Sequence, residues 1–358
     1  MTETGEQTRQ QIPQRILVLR DFCISSAGAS CNRCESACPT RAITLSENAC
    51  APAVDAQACT MCGICQGVCD AFTSTGLKIG DVYAGARRIA LSQAGRPCIL
   101  TCKNSVPEDF ETASNVISLP CLAMLPAELW AQLLAESTNL FIYLDLETCA
   151  TCANGTIAEE IYGEAISLAE QLSGRQVLFT DELPAASNEG LFANLARIGE
   201  SGKRRDAFTD MIAQLKDASS GALRRRTDEH WQKLTEQNER LKSHSKLALG
   251  NGTEFNPYAV NGRARKIMLP KRQMLLKAIE AQPDIAQRAE IRLSATDASK
   301  CQNDLRCSRA CPTGARLPDA TSGKLSFEAR LCCGCGVCSH VCRHDAITVT
   351  TEKASAIA

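Results

Sequence analysis

Short apolar runs alternate with amphipathic stretches through the centre of the chain. Pro97 to Cys102 and Val116 to Leu119 have the apolar density of buried strands, and Ala127 to Glu136 spaces its apolar residues as one helix face does. Further on, Leu140 to Leu146 reads as a strand, Thr156 to Leu172 as a helix and Gln176 to Thr180 as a strand. Strands separated by helices predict a small parallel α/β sheet, because a parallel pair needs a crossover long enough to hold a helix. From Glu200 to Gln287 the pattern turns charged and helical, broken at Gly250-Asn251-Gly252, and predicts a helical linker. At the two ends the apolar runs are brief: Ile16 to Leu19 and Ile291 to Leu293 each lead into a cysteine-rich stretch. Even the longest runs, such as Asn139 to Leu146, are far too short to span a bilayer.

Composition changes this picture mainly through cysteine. There are 22 cysteines in 358 residues, while aromatic residues make up 4% and the formal net charge is −1. A chain so close to neutral has no global attraction to nucleic acid or acidic membrane, so neither is an expected partner. Met1 to Gln14 is polar and lacks the apolar core of a signal peptide, which predicts a reducing, cytoplasmic setting. The pair Arg204-Arg205 loosely matches a twin-arginine signal but lies mid-chain before polar residues, and reads as the start of a charged helix. Arg224 to Arg226, with Arg263, Arg265 and Lys266, form a solvated helical face or a dock for an acidic redox partner.

The cysteines crowd into Cys23 to Cys69 and Cys301 to Cys342, with a sparser group from Cys98 to Cys152. The strongest signal is Cys59-x2-Cys62-x2-Cys65-x3-Cys69, which recurs as Cys332-x2-Cys335-x2-Cys338-x3-Cys342. Three thiolates at two-residue gaps wrap one iron–sulfur cube, and the fourth points toward a second. Gly63, Gly334 and Gly336 let the backbone turn closely around sulfide. A zinc ribbon uses two separated Cys-x-x-Cys pairs, which is a different spacing. Each run has an upstream companion. At the amino end these are Cys23, then Cys31-x2-Cys34-x3-Cys38-Pro39 and Ala42-Ile43; at the carboxyl end they are Cys301, then Cys307-x3-Cys311-Pro312.

On these motifs both ends resemble bacterial-type ferredoxin domains that carry two [4Fe-4S] clusters, over roughly Gln14 to Val82 and Glu290 to Thr351. The resemblance implies a multidomain α+β and α/β chain. Its parts are a ferredoxin-type domain at 1–82, an α/β domain at 83–199, the charged helical linker at 200–289 and a second ferredoxin-type domain at 290–358. In that family the fourth cysteine of each run ligates the other cluster. The resemblance therefore implies ligand sets of Cys23, Cys31, Cys34 and Cys69, and of Cys38, Cys59, Cys62 and Cys65. At the carboxyl end it implies Cys311, Cys332, Cys335 and Cys338, and a last set of Cys301, Cys307 and Cys342 whose second position falls on Asp304. The gap Cys23-x7-Cys31 is longer than usual and reads as a surface loop, with Cys50 as the alternative fourth ligand. For Asp304 three outcomes are open: oxygen ligation of iron, loss of that iron to leave [3Fe-4S], or a side chain turned to solvent.

In the central domain Cys102, Cys121 and Cys149 fall at or just after the carboxyl ends of predicted strands, and Cys152 falls at a helix start. In a parallel sheet those ends share one edge, where ligands collect, so the four thiols are expected to converge. Cys98 shares strand parity with Cys102 but enters from the opposite end. With Leu119-Pro120-Cys121 and Gly155, these residues also resemble the iron–sulfur delta subunit of methyl-viologen-reducing hydrogenases, over about Arg88 to Thr180. That resemblance implies an electron-relaying domain with a [2Fe-2S] cluster. A bound metal such as Zn or a cluster, redox-active thiols, and buried thiols with packing roles all stay open. His340 and His344 flank Cys342, either as exposed residues or as groups that tune it, and Cys333 is expected to turn away from iron.

No Ser/His/Asp triad, phosphate loop or dinucleotide fingerprint is present. The expected function is that of a polyferredoxin-like electron relay, the iron–sulfur subunit of a larger oxidoreductase. Its partners would be a catalytic subunit and a soluble carrier or second redox subunit. The alternatives are a thiol–disulfide reductase centred on Cys149 and Cys152, or an accessory factor for maturing a metalloenzyme.

Overall fold

The computed structural model describes residues 14–27, 31–45, 51–92, 97–136, 139–186, 259–260, 263–264, 266–319 and 321–358. The amino-terminal part holds β1 (Ile16–Val18), α1 (Arg33–Ser36), β2 (Ile43–Thr44), β3 (Ala53–Val54), α2 (Ile64–Val68) and β4 (Phe72–Ser74). Strands β1 and β4 pair antiparallel, as do β2 and β3. α3 (Ile79–Ser92) follows, and buries Val82, Ala86 and Ile89, spaced as one helix face. Residues 82 and 83 lie inside this helix, so the chain passes from one part to the next without a linker.

The centre comprises β5 (Cys98–Cys102), β6 (Val116–Leu119), α4 (Ala127–Glu136), β7 (Leu140–Tyr143), α5 (Leu146–Thr151), α6 (Gly155–Ser173) and β8 (Leu178–Phe179). Its four strands form one parallel sheet in the order β6-β5-β7-β8, the mixed α/β arrangement expected from the alternation of apolar runs. One element differs from its sequence reading. The strand expected over Leu140 to Leu146 stops at Tyr143, because the Asp145 carboxylate accepts from the N–H groups of Glu147 (3.1 Å) and Thr148 (3.4 Å) and caps α5.

Beyond the short hairpin β9 (Ala259–Val260) and β10 (Arg263–Ala264), α7 (Pro270–Ala281) and α8 (Ile285–Arg288) lead into the carboxyl-terminal part. That part holds β11 (Glu290–Thr296), α9 (Arg306–Arg309), β12 (Arg316–Pro318), β13 (Leu325–Phe327), α10 (Val337–Val341) and β14 (Ile347–Lys353). Here β11 pairs with β14 and β12 with β13, repeating the amino-terminal pairing of first strand with last and of the inner two. Both ends are poor in regular structure, as expected where apolar area is small.

A single core joins the three parts. Trp130, Leu129, Leu133 and Leu134 of α4 are buried against Tyr162, Ile166 and Ala169 of α6 and against Leu275, Ala278 and Ile279 of α7. Ile64 of the amino-terminal part and Leu293, Leu331 and Cys332 of the carboxyl-terminal part belong to the same core. The described end of the stretch read as a linker is thus packed helix. Gln282 Nε2 donates to Ser173 O (2.6 Å) and Arg288 Nη1 to Leu172 O (3.1 Å), satisfying carbonyls left open at the end of α6. Arg204-Arg205, Arg224 to Arg226, the Gly250 break, Arg265 and Cys50 lie outside the described residues. Among the described residues, no helix is long and apolar enough to cross a membrane.

Candidate metal centres

Each end brings its chemistry-bearing side chains together in fours. In the first group the Cys34 thiol is pushed up to about 12, chiefly by burial and then by Cys69, Cys31 and Cys23 around it. In the second, Cys65 is likewise pushed up to about 12 by burial and by Cys62, Cys59 and Cys38. Cys23 and Cys31 both lie close enough to Cys34 to act on its thiol, despite the long gap between them in the chain.

At the carboxyl end, Cys301, Asp304, Cys307 and Cys342 line one hollow together with His344, forming the third group. Burial raises Cys307 to about 11; Arg316 works against the rise, while Cys338, Cys342 and Asp304 add to it. Asp304 does not simply face solvent. Its Oδ1 accepts from Arg306 N–H (3.3 Å), and its Oδ2 lies 3.6 Å from Arg306 Nε and 3.5 Å from His344 Nε2. The fourth group is Cys311, Cys332, Cys335 and Cys338: burial raises Cys338, with Cys335 and Cys311 adding and Arg316 opposing. Cys332 shares a hydrogen bond with Ser294 Oγ (3.7 Å). Cys333 packs against Ile267 and Leu269, and its thiol donates to Cys335, which is thereby drawn downward, toward thiolate.

Local backbone explains why these positions serve as corners. Cys62 sits between two left-handed residues, Met61 (φ 59°) and Gly63 (φ 77°), and Cys335 sits between Gly334 (φ 66°) and Gly336 (φ 82°). Asp304 occupies the same frame, between Asn303 (φ 53°) and Leu305 (φ 57°). That double reversal turns successive N–H groups inward. Cys62 accepts from Ile64 N–H, Cys65 from Gln66, Cys69 from Ala71 and Cys335 from Val337. Cys38 and Cys311, each in a Cys-Pro-Thr sequence, pair with Thr40 Oγ1 and Thr313 Oγ1, both at 3.7 Å.

The central thiols also converge. Burial pushes Cys121 to about 12, with Cys102, Cys62 and Cys149 contributing, and Cys102 is raised by burial and by Cys152. Each member has a donor or donor-capable partner. Cys102 accepts from the N–H groups of Asn104 and Ser105, and Cys121 accepts from Ala123. Cys149 Sγ is 3.8 Å from Tyr162 Oη, and Asn104 Nδ2 donates to Cys152 Sγ (3.6 Å). Cys98 is buried at the far end of β5, where burial alone raises its thiol. Cys121 is the link outward, since it feels Cys62 of the second group. Gly67 makes that approach possible: a Cβ there would stand 2.2 Å from Ala123 O. Gly155 does the same within the centre, where a Cβ would stand 2.3 Å from Cys149 O.

Sequence reasoning did not find Asn104, Tyr162, Lys271, Arg272 or Arg316. Nothing in the local spacing marks them, because each reaches its cysteines through the tertiary fold. Among the described residues, no three or more His, Cys, Asp or Glu side chains gather tightly enough to hold a metal ion. The donor sets nonetheless suit iron–sulfur clusters in their chemistry: four sulfur donors in three of the end groups, three with one carboxylate in the other, and backbone N–H groups directed at sulfur. Arg272 Nη1 adds a buried donor with no acceptor, beside Cys332 and Cys333. No protein-family model matches this chain, and no curated protein does.

Proposed function

We propose that this chain is an electron relay with ferredoxin-type ends, holding a cubane iron–sulfur cluster in each of its four end groups, as the iron–sulfur subunit of a larger oxidoreductase. The observation that carries this reading is the succession of thiol groups through the molecule. Cys307 of the third group lies beside Cys338 of the fourth, and segment 267–272 separates the fourth from the first. α1 and α2 of the first and second groups are in contact, and Cys62 of the second reaches Cys121 of the centre.

When bound, each cluster accepts and releases one electron at a time. The chain's own residues fix where that happens. Thiolates hold the positions, N–H groups on sulfur favour the more negative reduced form, and burial disfavours it. Asp304 would offer oxygen to one iron, a harder ligand than thiolate and a weaker hold on it. The central group, next in line after Cys62, would be the station that faces a partner and takes a further cluster or metal. Its Cys149 thiol is raised to about 12 chiefly by burial, as are Cys34 and Cys65 of the end groups. The proposed setting is cytoplasmic, with a catalytic subunit and a soluble carrier as partners.

Anaerobic isolation tests the reading. The expected result is about sixteen irons per chain, fewer by one if the Asp304 site is a three-iron cluster, and more if the centre is loaded. Broad visible absorption that bleaches on reduction should accompany them, and the chain should copurify stoichiometrically with a catalytic subunit. Zinc without iron would overturn the proposal, and transient binding to an apo-enzyme alone would favour a maturation factor.

A further inference from the structure

Two successive residues of α7 reach in opposite directions. Lys271 Nζ donates to Gly67 O (2.6 Å), and its backbone N–H donates to Asp70 Oδ1 (2.9 Å). Gly67 and Asp70 bracket Cys69 of the first group, whose thiol the Lys271 charge draws downward against burial. Arg272 Nη2 donates to the backbone carbonyl of Cys332 (2.7 Å) in the fourth group, while its Nη1 is buried with no acceptor. Just before them, Ile267 and Leu269 are buried, and both Phe22 and Cys333 pack against them. Phe22 precedes Cys23, and Cys333 follows Cys332, so residues 267–272 touch the neighbourhood of both the first and the fourth group.

We propose that Lys271 and Arg272 are the electron junction between the two ends of the chain: paired positioning residues that set one positive charge beside the first cluster and one beside the fourth. The proposal rests on the relay reading above. Transfer across the junction oxidises one cluster by one electron and reduces the other by one, with no proton or bond change. A cluster gains a negative charge on reduction, and a cation in a medium of low polarity stabilises that form strongly. Each cation therefore raises the potential of the cluster beside it. Arg272 would do more than Lys271 if a cluster sulfur came within reach, because its buried Nη1 would be free to donate to it. Asp70 and Glu128, near both cations, offset the charge, so each acts on the cluster next to it rather than across the whole molecule.

The test is a redox titration followed by electron paramagnetic resonance on the full, iron-loaded chain, comparing Lys271→Gln, Lys271→Arg, Arg272→Gln and Arg272→Lys with the unaltered protein. Each Gln variant is expected to lower one midpoint by at least the equivalent of a tenfold change in the one-electron equilibrium, 59 mV, and the two variants should move different midpoints. Lys271→Arg should restore its midpoint. Arg272→Lys should restore its own only in part, because the charge returns without the planar fork. Iron-loaded Gln variants with unmoved midpoints would overturn the junction alone. So would midpoints lowered as far by Lys271→Arg as by Lys271→Gln, since that would be a packing effect. An unaltered chain that binds no iron would overturn the relay and the junction with it.

Discussion

The two ends share a frame and differ in charge. Both pair their first strand with their last, both set a ligand corner between left-handed residues, and both pair a Cys-Pro-Thr cysteine with its threonine. The amino-terminal end fills its corners with cysteine throughout. The carboxyl-terminal end places Asp304 at one corner and buries a guanidinium between its two groups. Arg316 is 1% exposed, the only fully buried charged residue among the described residues. Its Nη1 donates to Thr296 Oγ1 (2.6 Å), its Nε and Nη2 donate to Ser294 Oγ (3.2 and 3.0 Å), and the Phe327 ring lies 4.9 Å away. These hydrogen bonds offset the desolvation of the buried charge, which also acts on the Cys307 and Cys338 thiols. On the proposed reading, a repeated frame would hold two stations that differ in one corner residue, Cys62 in the first and Asp304 in the second, and in the guanidinium buried in the second.

The largest expected effect comes from exchanging the corners. Asp304→Cys should abolish any three-iron signal after mild oxidation and make the two ends equally resistant to iron loss. Cys62→Asp, made in the matching frame, should transfer the lability to the amino-terminal end, at one iron per chain. Iron analysis and electron paramagnetic resonance after ferricyanide treatment read both. If the Asp304→Cys protein still loses one iron from the carboxyl end, the corner residue is not the cause of the difference.

The frame itself supplies a second comparison. Gly334 and Met61 occupy equivalent left-handed positions, but their surroundings differ. A Cβ at Gly334 would stand 2.4 Å from Arg292 Cβ and 2.7 Å from Arg292 O, where the backbone has no room to give. Gly334→Ala is expected to cost about 3 kcal/mol, combining left-handed strain of about 1–2 kcal/mol with overpacking of about 1–3 kcal/mol. Met61→Gly removes strain of the same kind but gives up side-chain packing, and should change stability by under about 1 kcal/mol. Denaturant midpoints of the iron-loaded variants test the pair; equal losses would mean that the crowding at Arg292 is relieved by movement of β11.

These comparisons also show what was legible in the chain. The cysteine spacing implied which thiols would gather, and the parallel sheet followed from the alternation of runs, because both depend on local spacing. The glycine argument was only half the story. It accounts for Gly63, Gly334 and Gly336, yet the same conformation recurs at Asn303, a residue type that visits it readily, and at Met61 and Leu305, where no residue type announces it. What stayed hidden was long-range. Lys271 meets Gly67, Arg316 meets Ser294, and α7 packs on α4, and none of these contacts has a periodic signature. The strand over Leu140 to Leu146 was overcalled because apolar density continues past Asp145, and only the capping geometry shows that the backbone turns there.

The smallest expected effect isolates the charge difference without iron. Cys34 and Cys307 are 5% and 6% exposed, so access does not separate them, yet burial pushes Cys34 to about 12 and Cys307 only to about 11. The guanidinium of Arg316 opposes the rise at Cys307. Both values lie above the ordinary thiol value of 9.0, so the iron-free fold favours protonated thiols. Their contribution to its stability is complete below about pH 9 and is lost as the pH rises through the folded-state values, at Cys307 first. At pH 9 the thiolate fraction, and with it the alkylation rate, should be greater at Cys307 than at Cys34. Mass-spectrometric time courses with iodoacetamide on the iron-free chain measure both sites in one sample. Arg316→Gln should bring Cys307 down toward the rate of Cys34. If the two sites react equally before that substitution, the buried guanidinium does not distinguish the ends.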